Sequence, residues 1–554
     1  MRKVRSSWVT GIGLTVMLLL AGCDNSDNAA EKPKAPEPGP IPIHLEAGTP
    51  AKYDPPIEFT TVAFSIPSVQ YARGDDFRNN PWTRYIERHL GIKIHTIWTV
   101  PESEYVKKSN LMISSGELPD FFAATPAQFK QLAQAGLLED LTPVYDNHAP
   151  EIVKKVIRDA GPEVIRSAEI GDRLMAIPFT GTAKESPPIL WIRKDWMEKL
   201  ELSAPKTMDD VWAISEAFTF KDPDGNGKHD TFGLALDRDL GLAIGLLTGY
   251  HAYWDIWFEG KDGKLAYSTI QPEMKRGLLQ LKELFQAGQI DPEFTVKPAF
   301  KVFEGIGSGK IGMMAGARGS ANYPLASLTP DREWQAYAIP SADGDPVLYP
   351  LQLNIYKYYW VVKKGTKHPE ALLHMLELWL NAYYFNTSEE LFYTLINPSR
   401  EDKSATWSMA PIRIYLPDNN IENYRQVAAV LNGTLQAGQL APERRNVYER
   451  TIRYLNGDQK LWGEYAQNGP GGSGAIIDDI IRNDRFQPNR YTSTPTPTMT
   501  ERGEALNKLR DETFLRIIAG TAPIEEFDNY VYDWKRLGGD AITQEVNAWY
   551  AAQK

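Results

Sequence analysis

Two periods of apolar residues alternate along most of the chain. Residues 57–66 are dense in β-branched and aromatic side chains and predict a first strand. Trp82, Tyr85, Ile86 and Leu90 then fall on one helical stripe, with Gly91 placed to stop it. A second strand follows over 92–100, a helix through Leu111 and Met112, and a third strand at Pro119-Asp120-Phe121-Phe122. Further strands are predicted at 174–179 and 189–192, and helices at 196–200, 208–218, 272–286 and 371–380. Thr207 is placed to cap the 208–218 helix, with Asp209 and Asp210 suiting its first turn. In the tail, Leu506, Leu509, Phe514, Ile517 and Ile518 form one stripe ending at Gly520, and Phe527, Tyr530, Val531 and Trp534 form another ending at Gly538. Strands alternating with helices predict an α/β protein built on mainly parallel sheets, with a helical C-terminal extension. A chain of 554 residues is too long for one core and calls for two or three compact units.

The first fifty-odd residues follow neither period. Arg2, Lys3 and Arg5 precede an apolar run over 8–20, then Leu20-Ala21-Gly22-Cys23. A basic start, a short apolar core and small residues before a cut site make an export signal over 1–22. The only cysteine of the protein stands at that site, in what resembles a bacterial lipoprotein box. The resemblance implies cleavage before Cys23 and a lipid on its sulfur, holding the protein to the extracytoplasmic face of the membrane. Residues 23–56 are Pro, Ala, Glu, Lys and Asn with few large apolar side chains, the composition of a disordered tether. A net charge of -11 with no basic block argues against nucleic acid and anionic membrane surfaces as partners.

One polar stretch has a chemistry of its own. Over Asp222-Pro-Asp-Gly-Asn-Gly-Lys-His-Asp230, oxygen-bearing side chains recur at alternate positions: Asp222, Asp224, Asn226 and Asp230. Gly225 and Gly227 allow the sharp turn, and Lys228 offers a backbone carbonyl. That is how a short loop wraps a hard cation, and calcium fits better than magnesium. The twelfth position is Gly233 rather than a bidentate Glu, so the cage has fewer protein ligands than an EF-hand. Nothing nearby pairs a general base with an open coordination site, so the ion is expected to be structural.

Several phrases occur in collinear order: Gly116-Glu-Leu-Pro-Asp120, Leu190-Trp-Ile-Arg-Lys-Asp-Trp196, Pro205-Lys-Thr207 leading into the cation loop, Ile290-Asp-Pro-Glu-Phe294, Gly309-Lys-Ile-Gly-Met313 and Trp534-Lys-Arg-Leu-Gly-Gly-Asp540. Together they resemble the extracellular solute-binding lipoproteins of carbohydrate ABC importers, in the large branch typical of Gram-positive bacteria. The resemblance implies a two-lobe periplasmic-binding-protein-like fold (type II). Its hinge crossings would lie near 177–179, 300–303 and 351–356, with one lobe at 57–178 and 304–352 and the other at 179–303 and 353–554. It also implies an oligosaccharide captured by hinge closure, delivery to membrane permease subunits, and no catalysis. Thr231 stands where some relatives carry a further acidic metal ligand.

Sugar faces stack on flat rings, and their hydroxyls need planar amides, carboxylates or guanidinium forks. Candidates that meet this chemistry are Trp254 and Trp257 in a loop-like stretch, Trp360 opening an apolar strand, and Trp407 in a polar stretch. The resemblance adds Phe179 and Thr180 at the first hinge, and Arg318 and Tyr323 in a Gly-rich segment facing the cleft. Gly305 to Lys310 hints at a phosphate loop but lacks the first Gly and the closing Ser or Thr, and is rejected. An anchored polysaccharide-active enzyme and a peptide receptor of similar architecture stay open as alternatives.

Overall fold

The computed structural model describes residues 52–66, 69, 71–386, 388–397 and 405–553. The signal 1–22, the lipidation candidate Cys23 and the tether up to residue 51 lie outside the described residues. The body is two α/β lobes joined by crossing strands.

The first lobe begins as its apolar pattern predicts. Strand Ile57–Ser65 pairs in parallel with Ile92–Pro101 across the connecting helix Pro81–Leu90. That helix starts at Asn80, whose Oδ1 accepts from the Trp82 and Thr83 amides, and stops at Gly91 in the left-handed region (φ 66°). Strand Phe121–Ala124 is buried throughout and borders the Ile355–Val362 strand. The Thr61 hydroxyl bridges the first strand to the Phe121 carbonyl at 2.9 Å.

The second lobe is a four-stranded sheet in the order Trp334–Tyr337, Ile189–Arg193, Ile311–Gly316, Phe232–Leu234. Trp196 and Phe218 lie so close to this sheet that a Cβ on Gly312 would stand 2.4 Å from the Phe218 ring. Thr207 caps helix Met208–Phe220 as expected, in a capping box with Asp210. The tail helices Pro497–Ile518, Glu526–Trp534 and Asp540–Gln553 pack onto this lobe. Leu506, Phe514, Ile517, Ile518, Phe527, Tyr530 and Trp534 are buried in its core, and Trp534 stacks on Tyr267 at 5.0 Å.

Two features differ from the sequence reading. Parallel pairing holds between 57–65 and 92–101, between 232–234 and 311–316 and between 349–351 and 486–488, but Ile189–Arg193 and Ile355–Val362 each run antiparallel to both of their neighbours. A strand that returns from the other lobe enters its sheet from the cleft end, so it must oppose the strand that left. The second difference is the allotment of segments. Ile311–Gly316 and Trp334–Tyr337, expected with the first lobe, hydrogen-bond to Ile189–Arg193 in the second. Ile355–Val362, expected in the second, pairs with Phe121–Ala124 in the first, and Ala371–Leu380 packs there on Pro81–Leu90 and Glu151–Ala160. The crossing expected near 300–303 lies inside the helix Ala299–Gly307. The crossing near 177–179 is a strand, and 351–356 ends one. A run such as Trp360-Val-Val362 shows that a strand is buried on both faces, but not in which sheet.

Candidate ligand-binding cleft

Strand Ile177–Thr180 leaves the first lobe and Ile355–Val362 returns to it, paired antiparallel. Trp360 opposes Ile177 and Tyr359 opposes Pro178, then the register slips until Ile355 opposes Thr180. The extra residues form a bulge around Lys357, a non-glycine residue in the left-handed region (φ 62°). Bulges re-aim side chains, and strained backbone of this kind collects at binding sites. Here Tyr358 turns into the first-lobe core against Phe64 and Tyr105, while Tyr356 is left half-exposed. Lys357 reaches Glu102 at 2.9 Å.

A third segment, 405–416, is laid over this pair. The Thr180 hydroxyl donates to the Tyr415 carbonyl at 2.6 Å and accepts from the Tyr415 amide at 3.1 Å. Indole N–H groups pin the same segment: Trp360 to the Arg413 carbonyl at 2.7 Å, and Trp379 to the Ile414 carbonyl at 2.8 Å. The result is a half-buried group of rings, with Tyr415 5.5 Å from Tyr356 and 6.3 Å from Trp407. The buried Arg413 guanidinium lies between the Phe64 and Trp407 rings, 5.7 and 5.6 Å from their centres. Its Nη1 donates to the Ser408 carbonyl, and its Nε has no partner among the described residues.

The second-lobe wall is polar. Gly181 and Ala183 donate to the Asn354 backbone and side-chain oxygens, at 3.1 and 2.9 Å. Glu185 accepts from the Ile421 amide and the Asn420 side chain, both at 2.7 Å. Burial outweighs these donors and pushes Glu185 up to about 7. Arg318 is buried beside it, donating to Asn468 Oδ1 at 2.6 Å with its Nε unpartnered among the described residues. Farther along, a narrow crevice has Tyr383, Tyr384 and Phe392 on the first-lobe side and Asn419, Glu443 and Arg444 on the other. Arg445 and Glu389 pair across it at 3.0 Å.

The eight ligand candidates divide accordingly. Phe179, Thr180, Trp360 and Trp407 come together at the crossing, but the first three are buried. Phe179 stacks on Trp360 at 5.4 Å and supports Tyr356 and Tyr415 from below. Thr180 spends its hydroxyl on Tyr415. Arg318 lies in the polar wall. Tyr323 is on the second-lobe surface, 56% exposed and edge-on to Phe303. Trp254 and Trp257 are not at this site: Trp254 packs on Phe514 under the Arg510 guanidinium, and Trp257 is buried against Tyr267. The carboxylates that interleave with them are also engaged there, Asp255 accepting from the Tyr267 hydroxyl at 2.8 Å and Glu259 from the Tyr550 hydroxyl at 2.9 Å. Arg413, Tyr415 and Glu185 were not among the candidates. Arg413 and Tyr415 alternate about Ile414, a period-two signal too short to stand out.

The cation loop joins helix Met208–Phe220 to strand Phe232–Leu234. Gly225 and Gly227 both take φ 74°, and Asp222 accepts from the Asn226 and Gly227 amides at 3.1 and 3.0 Å. The Asn226 side chain donates to both Asp224 and Asp230, at 2.7 and 3.0 Å, so these three side chains converge on one place. The donor set is entirely oxygen, which suits calcium. Among the described residues no group of three or more His, Cys, Asp or Glu side chains is gathered to hold a metal, and the Asn226 Oδ1 accepts from the Lys228 amide at 2.8 Å. Thr231 turns inward and donates to the Phe218 carbonyl.

The family description "bacterial extracellular solute-binding protein" matches residues 74–386, more than half of the chain. The chain belongs to that family. Its members bind solutes and are not enzymes. This solute-binding protein is 29% identical to lipoprotein LipO of Bacillus subtilis over 254 residues, 44% of this chain and 48% of that one. It is 31% identical over 225 residues to the fructooligosaccharide ABC transporter substrate-binding protein FusA of Streptococcus pneumoniae, 38% of this chain and 41% of that one. The matches thus span about half the length of these relatives. Among solved structures, a human-milk-oligosaccharide-binding solute-binding protein of Bifidobacterium longum infantis aligns over 89% of this chain and 98% of its own, with TM-score 0.62 and 18% identity. FusA with kestose aligns over 90% and 100%, with TM-score 0.59 and 19% identity, and an EF-hand mutant of FusA with fructo-nystose aligns equally well, at 18% identity. At these identities the structures establish the fold.

Glu185 gives the solute-binding protein a pH signature. Its ordinary value is 4.5 and the folded one about 7. Between them the native state keeps a proton that the unfolded chain has lost, so stability falls as pH rises through that window, by about 2–3 kcal/mol. Glu185→Gln keeps an oxygen for the Ile421 amide and removes the titration. Urea denaturation at pH 5 and pH 8 is expected to show a smaller loss for the variant; parallel profiles would refute the assignment.

Proposed function

We propose that this protein is the lipid-anchored receptor of an ABC importer, that it captures an oligosaccharide between its lobes, and that it passes the sugar unaltered to membrane permease subunits. The observation that carries the reading is the Arg413 guanidinium between Phe64 and Trp407, its Nε unpartnered among the described residues, beside the partly buried rings of Tyr356 and Tyr415. Flat apolar faces for sugar C–H groups, with a fork for hydroxyls at their edge, are the two things a pyranose needs. Asn420, Arg318 and the Glu443 crevice supply polar partners from the other lobe, so a bound sugar touching both sides favours the closed arrangement. The lobe division that fits is 52–180 with 355–416 on one side and the remainder on the other. Oligosaccharide binding by FusA and lipidation in LipO support the substrate class and the anchor at Cys23.

Calcium is proposed as a staple in the loop of Asp222, Asp224, Asn226, Lys228 and Asp230. It would tie the end of one helix to the start of a sheet strand, far in function from the sugar. The EF-hand of FusA supports this reading.

Isothermal titration with a panel of neutral and acidic oligosaccharides should find one tight ligand. Arg413→Ala should weaken it about tenfold or more, since a charged hydrogen bond is worth roughly 1.5–3 kcal/mol, and Trp407→Ala should weaken it by removing a ring face. Thermal shifts from peptides and none from sugars would end the sugar reading. Saturating calcium, at about a hundredfold its dissociation constant, adds about 2.7 kcal/mol. EGTA should therefore lower the Tm, and Asp224→Ala with Asp230→Ala should abolish the response; an unchanged Tm would remove the metal. In the producing cell, the protein should partition into detergent and Cys23→Ala should release it, whereas partitioning by the variant would disprove the anchor.

A further inference from the structure

Away from the cleft, the flank of the second lobe carries a cavity of about 230 Å³ between the edge strand Trp334–Tyr337 and the helices Pro442–Leu455 and Trp462–Asn468. Tyr454 and Tyr465 stack on each other there at 4.5 Å and 25°, both half-buried, and so present one flat ring face. At its edge Glu333 accepts from the Tyr454 hydroxyl and, at 3.0 Å, from Lys194. Gln335 reaches the Gly471 carbonyl at 3.2 Å, and Trp191 and Trp462 form the buried floor. A second cavity of about 330 Å³ continues outward and shares Lys194, Glu333 and Trp462 with the first. The two make one groove, in the range of about 300–1,000 Å³ usual for small-ligand sites.

We propose that this groove is a second carbohydrate-binding site, one that holds a stretch of a neutral glycan chain on the outside of the receptor. The chemistry points to that class in three ways. A rigid stacked ring pair suits the C–H face of a pyranose. The edge groups offer donors (Lys194, Gln335) and acceptors (Glu333, the Gly471 carbonyl) side by side, which is what hydroxyls require, since each both donates and accepts. Charge argues against an acidic ligand. The inner cavity holds one cation and one anion, and the outer one sets Lys194 and Arg332 against Asp195, Glu198, Asp331 and Glu333. The groove shares no lining residue with the crossing or with the Glu185 and Arg318 wall, although Trp191 on its floor gives its indole N–H to the carbonyl of Ala317, the residue before Arg318, at 3.3 Å. A polymer held on the flank therefore leaves the cleft open, and would keep chain ends near it.

The site rests on the oligosaccharide reading only for its biological use, so the test separates the two. Affinity electrophoresis of the full-length protein through gels containing starch, levan, galactomannan or polygalacturonate would be run for wild type, Arg413→Ala, Tyr465→Ala and Tyr454→Ala. At least one neutral polymer is expected to retard wild type and Arg413→Ala alike. Tyr465→Ala or Tyr454→Ala, whichever retains the wild-type Tm, should reduce that retardation at least fivefold while leaving oligosaccharide titration unchanged. The proposal is overturned if no neutral polymer retards the protein, if Arg413→Ala alone abolishes retardation, if only polygalacturonate acts, or if the tyrosine variants migrate as wild type. Failure of oligosaccharide titration with flank retardation intact would count against the cleft reading instead.

Discussion

The structure hangs on a hydroxyl. Thr180 stands at the point where the chain leaves the first lobe, and its one side-chain oxygen both donates to and accepts from the backbone of Tyr415. That exchange resembles a step of sheet pairing made by a side chain. It ties the outgoing strand, at a fully buried Thr180, to a segment more than two hundred residues later. A valine of the same shape would leave the Tyr415 carbonyl without this donor, at about 1–3 kcal/mol, while the Tyr415 amide would keep the Thr180 carbonyl at 3.2 Å. The rings of the cleft depend on this contact, because Tyr415 carries one of them and Arg413, two residues earlier, carries the guanidinium.

The same logic recurs in the tryptophans of the first lobe. Trp82, Trp360 and Trp379 are all buried, and each gives its indole N–H to a carbonyl in the 395–414 stretch. A buried indole must find an acceptor. The three carbonyls, of Leu395, Arg413 and Ile414, satisfy the rings, and the residues that carry them are themselves held in place. The cleft is thus shaped by core residues that need not touch a ligand. It also explains why Phe179, Thr180 and Trp360 sit at the site yet face inward.

Electrostatically the two walls differ. On the crossing side one arginine is sandwiched between rings; on the other, Glu185, Arg318 and Asn468 form a buried polar patch with few water contacts. Burial favours the neutral form of Glu185, and it is also the larger influence on Arg318, whose pKa it lowers against the smaller opposing pull of the nearby carboxylates. A patch like this is tuned for hydrogen bonding more than for attracting net charge, in keeping with a hydroxyl-rich guest and with an acidic protein overall.

Helices and strands were legible in the chain because periodicity and caps act within a few residues. Asn80 and Gly91, Thr207 and Asp210, and the tail stripes through Phe514 and Trp534 all did their work locally. The cation loop was legible for the same reason, its oxygens lying within nine consecutive residues. The family phrases carried the two-lobe fold. Lobe membership was not legible: a strand buried on both faces looks the same in either sheet, and the choice for Ile311–Gly316 and Ile355–Val362 rests on hydrogen bonds between segments far apart. The site divided along the same line. Aromatic residues could be counted from the sequence, but whether a ring is open or packed depends on what crosses it. Trp254 and Trp257 are covered by helices that begin some 240 residues later, and Tyr356 is uncovered only because the bulge at Lys357 turns it out. Local chemistry is written in neighbouring residues; exposure is a property of the whole packing, and only the tertiary structure decides it.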